Sequence, residues 1–378
     1  MKVFYIVDSL NVGGAEKSLL EILGNFRHVQ PVMCHIYCGS DLRPAYEKAN
    51  IHVISLNIKK RLAFHHALRK LIQAIRHEAP DVIHLTGFYS TFLGRMAGFL
   101  LKVPIVESFS NETYTPRYYA SLPTQFHWKL KIAQWLDRLT FRWVKHVISV
   151  SEAVRQANSG MLKLSPQKVS VIYRGRNPQP FLDVNPQAGE KLRRIYDITP
   201  ETTVLLNVAR LIYRKGHKEL IEALSIIQHK YHDVRLFIAG DGHYRPELEA
   251  HLQKLGITDK VVFLGMRDDI PTWLHVADIF MFPSHYEGHP GAVIEAMFAA
   301  CPIIASDIPV HHETLIHHET GYLAQLQSAQ GLAMGIAWLL DNPNIAKQMG
   351  KKARSIAMQR FHIKTISAQY ERFYIGLL

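Results

Sequence analysis

The sequence predicts an α/β protein made of two doubly wound domains, each built on a parallel sheet. Three observations support this fold class. Short apolar runs alternate with longer amphipathic stretches, a segment rich in proline and glycine interrupts the alternation, and the alternation then starts again. Strands separated by helices form right-handed βαβ units, which give parallel sheets. A length of 378 residues also suits two domains of about 150 residues or more.

The elements follow in order along the chain. The first half opens with an apolar run at 3–7, a turn at Gly13 and Gly14 and a helical stretch at 15–23. Further apolar runs predict strands at 32–37, 52–56, 81–85, 104–107 and 146–150. A linker is expected over 173–186, which contains Gly175 and three prolines. Beyond it, strands are predicted at 204–208, 234–239, 261–264, 279–282 and 302–305, and helices at 218–228 and 292–300.

Composition excludes several classes of protein. With 48% hydrophobic and 20% charged residues, the chain is expected to be globular rather than disordered. Three cysteines cannot form a disulfide framework. The apolar run at 3–7 is too short for a signal peptide, and no stretch of about 18 apolar residues predicts a membrane span. We therefore expect a cytoplasmic protein, or one that lies on the cytoplasmic face of a membrane.

The positive charge is concentrated in the first half. Residues 1–178 contain 24 basic and 11 acidic side chains, a net charge of +13, whereas residues 179–378 contain 20 and 21, a net charge of −1. An anionic membrane surface would attract such a half, and so would nucleic acid. No zinc finger or RNA-recognition signature is present, so the membrane is favoured and no nucleic-acid partner is expected.

Residues that suit a diphosphate follow the predicted strands of the second half. Arg210 and Lys215 come after the strand at 204–208, and an arginine can bind two oxygens while a lysine acts as a point charge. Gly240 follows the next strand, where a glycine lets the backbone approach a ligand closely. Arg267 follows the strand at 261–264 as a candidate wall for a nucleotide base. Taken singly, basic residues in a loop are more typical of a solvated loop than of a ligand site, and a tight turn needs its glycines equally.

The segment that joins the strand at 279–282 to its helix carries the richest pattern. It consists of Glu287, Gly288, His289, Pro290, Gly291, Ala292, Val293, Ile294 and Glu295. A glycine- and proline-rich start of a helix exposes backbone N–H groups, which form an anion site. The glutamates at its two ends can accept hydrogen bonds from sugar hydroxyls.

Together, the Glu-x7-Glu element and the Arg-Leu…Lys-Gly loop at 210–216 resemble the retaining glycosyltransferases of family 4 (glycosyl transferases group 1). The resemblance covers nearly the whole chain. It implies the GT-B fold, in which two Rossmann-like doubly wound domains face each other across a cleft. It also implies an acceptor-side domain at 1–175, a donor-binding domain at 176–360 and a final helix, 361–378, that packs back onto the first domain.

The resemblance assigns roles to the residues. Arg210 and Lys215 would bind the donor diphosphate, Glu295 the ribose, and Glu287 the transferred sugar. The N–H groups of His289 to Val293 would hold phosphate or sugar, and the loop at Gly13 and Gly14 would meet the donor from the other domain. A nucleotide-sugar, UDP-linked rather than GDP-linked, is expected as a substrate, without any cofactor.

Metal-independent transfer is also expected, because the sequence contains no Asp-x-Asp to hold a divalent ion. Instead, positive side chains and preorganised donors would stabilise the departing diphosphate. The six residues His311, His312, Glu313, His317, His318 and Glu319 resemble a metal box. In that segment the family implies no metal, and we predict solvated loop and helix-end residues.

One position departs from the family pattern. Many members carry a His-Asn pair after a strand of the first domain, whereas this chain has Ser110 and Asn111. Ser110, Asn111 and Glu112 are the candidates to replace the hydrogen bond of that histidine to the donor sugar. His84, at the end of the strand at 81–85, either lines the cleft or is a satisfied buried histidine.

Two basic amphipathic stretches, 59–76 and 127–146, predict helices in the first half. A basic amphipathic helix with aromatic residues can lie on an anionic membrane surface. For the apolar stripe of each stretch we instead favour packing on the sheet, with its cations in water. The stripe of the second stretch consists of Trp128, Ile132, Trp135, Leu136, Leu139 and Trp143.

The function predicted is transfer of a hexose from a nucleotide-sugar to a lipid-linked or growing cell-envelope glycan, such as lipopolysaccharide. Two alternatives remain open. One is another GT-B enzyme, a nucleotide-sugar epimerase or a polysaccharide synthase. The other is a non-catalytic surface-binding protein that lost its chemistry through the change at Ser110.

Overall fold

The computed structural model describes residues 1–11, 13–59, 63–120 and 122–377. The chain forms two compact units. Unit 1 comprises Met1–Arg176 together with Ile363–Leu378, and unit 2 comprises Asn177–His362. The chain therefore leaves unit 1 once, after Arg176, and returns to it at Ile363.

Unit 1 is built on a parallel sheet of seven strands in the order β3-β2-β1-β4-β5-β6-β7. Its strands are β1 Lys2–Val7, β2 Gln30–Tyr37, β3 His52–Ile58, β4 Val82–Leu85, β5 Ile105–Phe109, β6 His146–Ser149 and β7 Val169–Val171. The helices between them are α1 Gly14–Gly24, α2 Arg43–Lys48, α3 Phe64–Glu78, α4 Phe88–Leu101, α5 Pro116–Ala120, α6 His127–Thr140 and α7 Glu152–Leu162.

Unit 2 is built on a parallel sheet of six strands in the order β10-β9-β8-β11-β12-β13. Its strands are β8 Thr203–Val208, β9 Val234–Ala239, β10 Val261–Gly265, β11 Ile279–Phe282, β12 Ile303–Ser306 and β13 Tyr322–Ala324. Its helices are α8 Gln179–Leu182, α9 Pro186–Ile195, α10 His217–Ile227, α11 Arg245–Leu255, α12 Ile270–Val276, α13 Gly291–Phe298, α14 Pro309–Thr314, α15 Ala329–Asp341 and α16 Pro343–Arg360.

The predicted fold class is confirmed, because both units are doubly wound sheets covered by helices. The two faces of the first sheet bury alternate residues of β1: Phe4 and Ile6 pack with α3 and α4, whereas Val3 and Tyr5 pack on the opposite face. A parallel sheet needs such cover on both faces. The strands β7 and β13 were not predicted, because runs of three residues are too short to show a periodicity.

The last helix, α17 Ile363–Ile375, belongs to unit 1 and packs against α1 and β1. Its Glu371 carboxylate accepts hydrogen bonds from the backbone N–H groups of Arg27, His28 and Val29, at 2.5–3.0 Å. The hydroxyls of Tyr374 and Tyr5 lie 2.5 Å apart in the core. One carboxylate thus satisfies three consecutive amides in the loop between α1 and β2.

The packing predicted for helix α6 is wrong. Four of the six residues in the predicted stripe face outward: Trp128 and Trp135 are each 59% exposed, and Ile132 and Leu139 are exposed as well. Leu136 and Trp143, the other two, are half-buried. The buried side chains of α6 are Leu130 and Thr140. The reason is a buried cation, Arg95 of α4, which donates hydrogen bonds to Asp137 and Thr140 of α6 and turns that face inward.

The stripe predicted in the other basic stretch does pack on the sheet: Leu71 and Ile75 of α3 are fully buried. Two of the cations assigned to that stretch, Lys60 and Arg61, lie outside the described residues. No described helix combines the length and the apolarity that a bilayer crossing requires.

Candidate functional site

The carboxyl edge of the second sheet brings two loops together at the point where the strand order reverses. From β8, the chain proceeds outward through β9 and β10, then returns to the other side of β8 as β11. Such switch points are where open α/β sheets bind ligands. The loops after β8 and β11 meet there, because the N–H of His285 donates to the carbonyl of Arg214 at 2.8 Å.

Gly216 makes this approach possible. It has a φ of +71°, in the left-handed region that favours glycine. A Cβ at this position would lie 2.0 Å from the carbonyl oxygen of Pro283, on the first residue after β11. The Lys-Gly pair of the sequence pattern therefore has a structural cause, since the glycine lets Lys215 sit against the neighbouring loop.

Lys215 and Glu287 form a buried ion pair at this edge. The Lys215 ammonium donates a hydrogen bond to the Glu287 carboxylate, and the two residues are only 9% and 8% exposed. The guanidinium of Arg214 lies 3.8 Å from the same carboxylate and donates to the carbonyl of Tyr286 at 3.0 Å. Sequence reasoning missed Arg214, although its place beside Lys215 in a basic turn was a signal.

The cations determine the charge state of Glu287. Burial would raise the pKa of its carboxyl, but Lys215 and Arg214 outweigh burial and lower the pKa to about 2. Burial and the neighbouring Arg214 lower the pKa of Lys215, which the carboxylate of Glu287 opposes. Glu287 is therefore an ionised hydrogen-bond acceptor at neutral pH, and it has no proton to donate.

Arg210 is exposed on the same loop, five residues before Lys215. The buried Leu211 anchors this loop, and its N–H donates to the carbonyl of Asp241 at 3.0 Å. Gly240 packs against it from β9: its φ is +136°, and a Cβ there would lie 2.0 Å from the carbonyl oxygen of Ala209. Gly240 thus allows two loops to pack closely, whether or not a ligand is present.

Arg267 lies after β10 and forms a two-pronged ion pair with Asp269, with N–O distances of 2.8 and 2.5 Å. The loops after β9 and β10 also meet, because the N–H of Gly240 donates to the carbonyl of Gly265 at 2.8 Å. Arg210, Gly240, Arg267 and Glu287 consequently all follow the carboxyl ends of neighbouring strands in one sheet.

The helix α13 begins at Gly291, immediately after the Glu287–Pro290 loop. Val293 and Ile294 are buried, whereas Gly291, Ala292 and Glu295 form a partly exposed stripe at spacings of three and four. Glu295 therefore lies on the accessible side of the first two turns. His289 and Gly288 are buried, and the His289 ring contacts Phe361 edge-on, with ring centroids 5.2 Å apart.

The prediction that the histidine-rich segment is solvated is wrong for His311. Its ring is fully buried, with Nδ1 at 2.7 Å from the carbonyl of Ser306, because α14 turns it toward the core beside Phe282. Burial lowers its pKa to about 4. His312, His317, His318 and Glu319 are exposed as predicted. Among the described residues, no group of three or more such side chains could hold a metal ion.

The candidate residues of unit 1 lie at the carboxyl ends of β1 and β5. Gly13 precedes α1 and Gly14 is its first residue, and a Cβ on Gly14 would meet open space. Ser110 and the exposed Asn111 directly follow β5, and the Asn111 carbonyl accepts a hydrogen bond from Asn158 at 3.0 Å. These residues belong to a different unit from Lys215 and Glu287.

His84 is a satisfied buried histidine. Its ring nitrogens lie 2.5 Å from the hydroxyl of Tyr374 and 2.6 Å from the hydroxyl of Ser108, and the ring stacks on Tyr5. Burial lowers its pKa to about 3. Of the two interpretations that the sequence left open, the second therefore applies.

Comparisons with known proteins match both units. The family described as Glycosyltransferase Family 4 matches residues 12–179, and Glycosyl transferases group 1 matches residues 189–356. The chain is 27% identical to an uncharacterized glycosyltransferase of Methanocaldococcus jannaschii over 78% of this chain and 75% of that protein. It is 24% identical to the UDP-Gal:alpha-D-GlcNAc-diphosphoundecaprenol alpha-1,3-galactosyltransferase of Escherichia coli, over 82% and 80% of the two chains.

Among solved structures, Anabaena HepE in complex with UDP-glucose has the same fold. The TM-score is 0.88, with 24% identity and complete coverage of both chains.

Proposed function

This chain belongs to glycosyltransferase family 4, and we propose that it transfers a hexose from a UDP-sugar to a lipid-linked acceptor of a cell-envelope glycan, with retention of configuration and without a metal. The observation that carries the proposal is the buried Lys215–Glu287 pair beside the start of α13. It places one cation and one ionised acceptor at a loop where backbone N–H groups begin a helix.

The donor would bind at the carboxyl edge of the second sheet. Arg210 and Lys215 are the cations for the diphosphate, and the N–H groups at the start of α13 supply further donors. Glu295, on the accessible side of α13, is suited to the ribose hydroxyls, and the Glu287 carboxylate to hydroxyls of the sugar. The UDP-glucose in the Anabaena structure and the UDP-Gal named for the Escherichia coli relative favour a uridine nucleotide.

The charge state of Glu287 limits the mechanism. A carboxyl whose pKa is lowered to about 2 can orient the sugar, but it is not a general acid at neutral pH. We propose that the acceptor oxygen bonds to the anomeric carbon on the face from which the diphosphate leaves. As the bond from that carbon to the diphosphate oxygen breaks, the acceptor proton passes to the departing oxygen, so retention requires no protein base.

Positive side chains would replace a divalent ion in this reaction. The departing diphosphate gains negative charge, which Lys215, Arg210 and preorganised N–H donors stabilise most in the transition state. We expect the dialysed enzyme to keep its full transfer activity when it is assayed in excess EDTA. Loss of activity in EDTA that Mg²⁺ or Mn²⁺ restores would contradict the proposed metal independence.

We further propose that unit 1 holds the enzyme at the cytoplasmic leaflet. With its final helix included, unit 1 contains 26 basic and 12 acidic residues, a net charge of +14, and unit 2 has a net charge of −2. The exposed stripe of α6 adds tryptophans, which favour the membrane interface, and Lys129 and Lys131 are exposed beside them. The diphosphoundecaprenol acceptor in the name of the Escherichia coli relative supports a lipid-linked acceptor.

A transfer assay tests the proposal. The purified chain is incubated with UDP- and GDP-sugars and with sugar-diphosphate-lipid acceptors, and the anomeric configuration of the product is determined by NMR. Lys215→Ala and Glu287→Gln should each abolish transfer. The matched control is Lys218→Ala, which removes an exposed lysine in the first turn of α10, three residues after Lys215. Normal turnover of the first two variants would contradict the site, and an inverted product would contradict retention.

A further inference from the structure

We propose that an aromatic pocket in unit 1 binds the hydrocarbon chain of the lipid-linked acceptor. The proposal rests on the proposed function for the identity of that lipid, and it assigns a place for the part of the acceptor that does not react. The pocket has a volume of about 310 Å³, and six aromatic rings line it: Tyr37, Phe64, Phe88, Tyr89, Phe92 and Tyr114.

The pocket lies at the carboxyl edge of the first sheet. Tyr37 ends β2, Phe64 begins α3 after β3, Phe88 begins α4 after β4, and Tyr114 follows β5. Four aromatic rings, one at or after the end of each of four strands, thus lie together at the edge where doubly wound sheets bind ligands. Its volume is at the lower end of the range that ligand pockets span, roughly 300–1,000 Å³.

Hydrogen bonds to one carboxylate fix the start of α4 at the rim of the pocket. The Asp8 carboxylate, just after β1, accepts hydrogen bonds from the N–H groups of Phe88 and Ser90 at 3.1 and 2.6 Å. Gly87 precedes them with a φ of +115°, and a Cβ there would lie 3.0 Å from the Asp8 carboxyl carbon. Phe88 nevertheless remains 51% exposed, so the backbone is ordered around a ring that is not itself buried.

The chemistry of the walls favours a hydrocarbon over a sugar. Leu93, Ala133 and Leu136 complete the apolar lining, and Asp137 is the carboxylate among the lining residues. That carboxylate is already engaged by Arg95 at 2.8 Å and by the hydroxyl of Tyr114 at 2.6 Å. A sugar needs several polar partners in its site, whereas an alkyl or isoprenoid chain is stabilised by burial of its apolar surface alone.

Helix α6 connects the pocket with the exposed tryptophan stripe. Ala133, Leu136 and Asp137 line the pocket, and a neighbouring face of the same helix carries Trp128 and Trp135. If the tryptophan stripe lies against the leaflet, the pocket is on the adjacent face of the same helix. The hydrocarbon chain of an acceptor in that leaflet could therefore reach the pocket by extending around α6. This continuity commits the pocket to a membrane lipid.

Filling the pocket provides the test. Ala133→Trp adds an indole to the pocket wall, and Gln73→Trp, at an exposed position of α3, is the matched control. Two acceptors with the same sugar diphosphate are compared in detergent solution, one with a polyprenyl chain and one with a two-carbon chain. The ratio of their kcat/KM values should fall about tenfold in Ala133→Trp and keep its wild-type value in Gln73→Trp.

A binding measurement separates this proposal from the proposed function. Farnesyl phosphate, used below its micellar concentration, should bind the wild-type chain and bind Ala133→Trp at least tenfold more weakly, without any donor present. Binding of this probe with no transfer to any acceptor would contradict the proposed function and leave the pocket supported. Transfer with no preference for the long chain, or equal probe binding by both variants, would overturn the pocket.

A second variant covers the case in which Ala133→Trp does not fold. Phe92→Leu removes part of one aromatic wall without introducing any bulkier side chain, and it leaves a gap in that wall. Because the long chain then loses apolar contact, this variant too should lower the ratio of the two kcat/KM values. A thermal unfolding curve is recorded for each variant. An unchanged ratio in a folded Phe92→Leu protein would count against the pocket.

Discussion

The ammonium of Lys215 donates a hydrogen bond to the carboxylate of Glu287 although both residues are more than nine-tenths buried. Arg214 adds a second positive charge 3.8 Å from that carboxylate. A buried pair of this kind is a costly way to stabilise a fold, because desolvation of two charges offsets most of their attraction. Its place at the carboxyl edge of the second sheet agrees better with a functional role. Measurements of stability and of activity in variants can distinguish a functional role from a structural one.

Removal of Lys215 should reduce both activity and stability. Lys215→Ala leaves the Glu287 charge buried beside Arg214 alone, and loss of one partner of a buried pair costs about 3–5 kcal/mol of unfolding free energy. The double variant Lys215→Met/Glu287→Leu should recover most of that stability, because a buried pair can be replaced by apolar residues at little cost. Transfer should stay at least a hundredfold below wild type in both. Urea unfolding and the transfer assay check this, and a double variant that regains activity would refute the assigned role.

Buried neutral histidines should contribute a loss of stability below pH 6.5. Burial lowers the pKa values of His84, His217 and His311 to about 3, 4 and 4, whereas each titrates near 6.5 when unfolded. Only the unfolded chain therefore binds these protons between pH 6.5 and about 4. The free energy of unfolding should fall by about 1.4 kcal/mol per pH unit for each histidine. His311→Phe should reduce the slope by one proton relative to wild type in urea titrations, and an unchanged slope would contradict its buried neutral state.

The Glu287 carboxyl should contribute to the pH dependence of the unfolding free energy at lower pH than the histidines do. Its folded pKa, lowered to about 2, lies below the ordinary value of 4.5, so its stabilising effect is complete above pH 4.5 and is lost as the pH falls toward 2. Glu287→Gln should therefore lack this part of the acid decline. The measurement is the urea midpoint of the two proteins between pH 5 and 2.5, and parallel curves over that range would argue against the ionised pair.

The exposed stripe of α6 should control binding to membranes. Wild-type protein should bind liposomes that contain anionic lipid, and the binding should weaken with salt. Trp128→Ala/Trp135→Ala should bind less without loss of stability, because both side chains are 59% exposed. Ile226→Ala, at an exposed apolar position of unit 2, is the control. Flotation assays measure this, and equal binding to neutral and anionic liposomes would contradict the electrostatic part of the proposal.

Arg95 should be essential for the position of α6. Its guanidinium donates two hydrogen bonds to Glu107, at 2.7 and 2.8 Å, and a third to Asp137. Arg95→Met removes the cation and leaves two buried or half-buried carboxylates without it, which should cost about 3–5 kcal/mol. Limited proteolysis within 122–140 should accelerate in this variant. Resistance equal to wild type would show that packing alone holds α6.

Much of the fold was predictable because it depends on the spacing of apolar residues and on the glycines and prolines that end each element. Apolar runs such as 3–7 and 204–208 are buried on both faces, so every residue of the run is informative. The Glu287–Glu295 pattern was also visible in the sequence, since it is continuous along the chain. Arg214 was missed because its partner is 73 residues away, and the mis-assigned face of α6 depends on Arg95, which belongs to another helix.

By itself, the sequence determined the two doubly wound sheets, the family and the uneven charge, because local hydrophobic spacing and short contiguous motifs encode them. Only the tertiary structure decided which face of α6 is buried, that His311 and His84 are core residues, and that Lys215 contacts Glu287. These outcomes depend on where buried polar groups find partners. A buried guanidinium or imidazole takes its partners from distant segments, and that requirement can override the most apolar face of a helix.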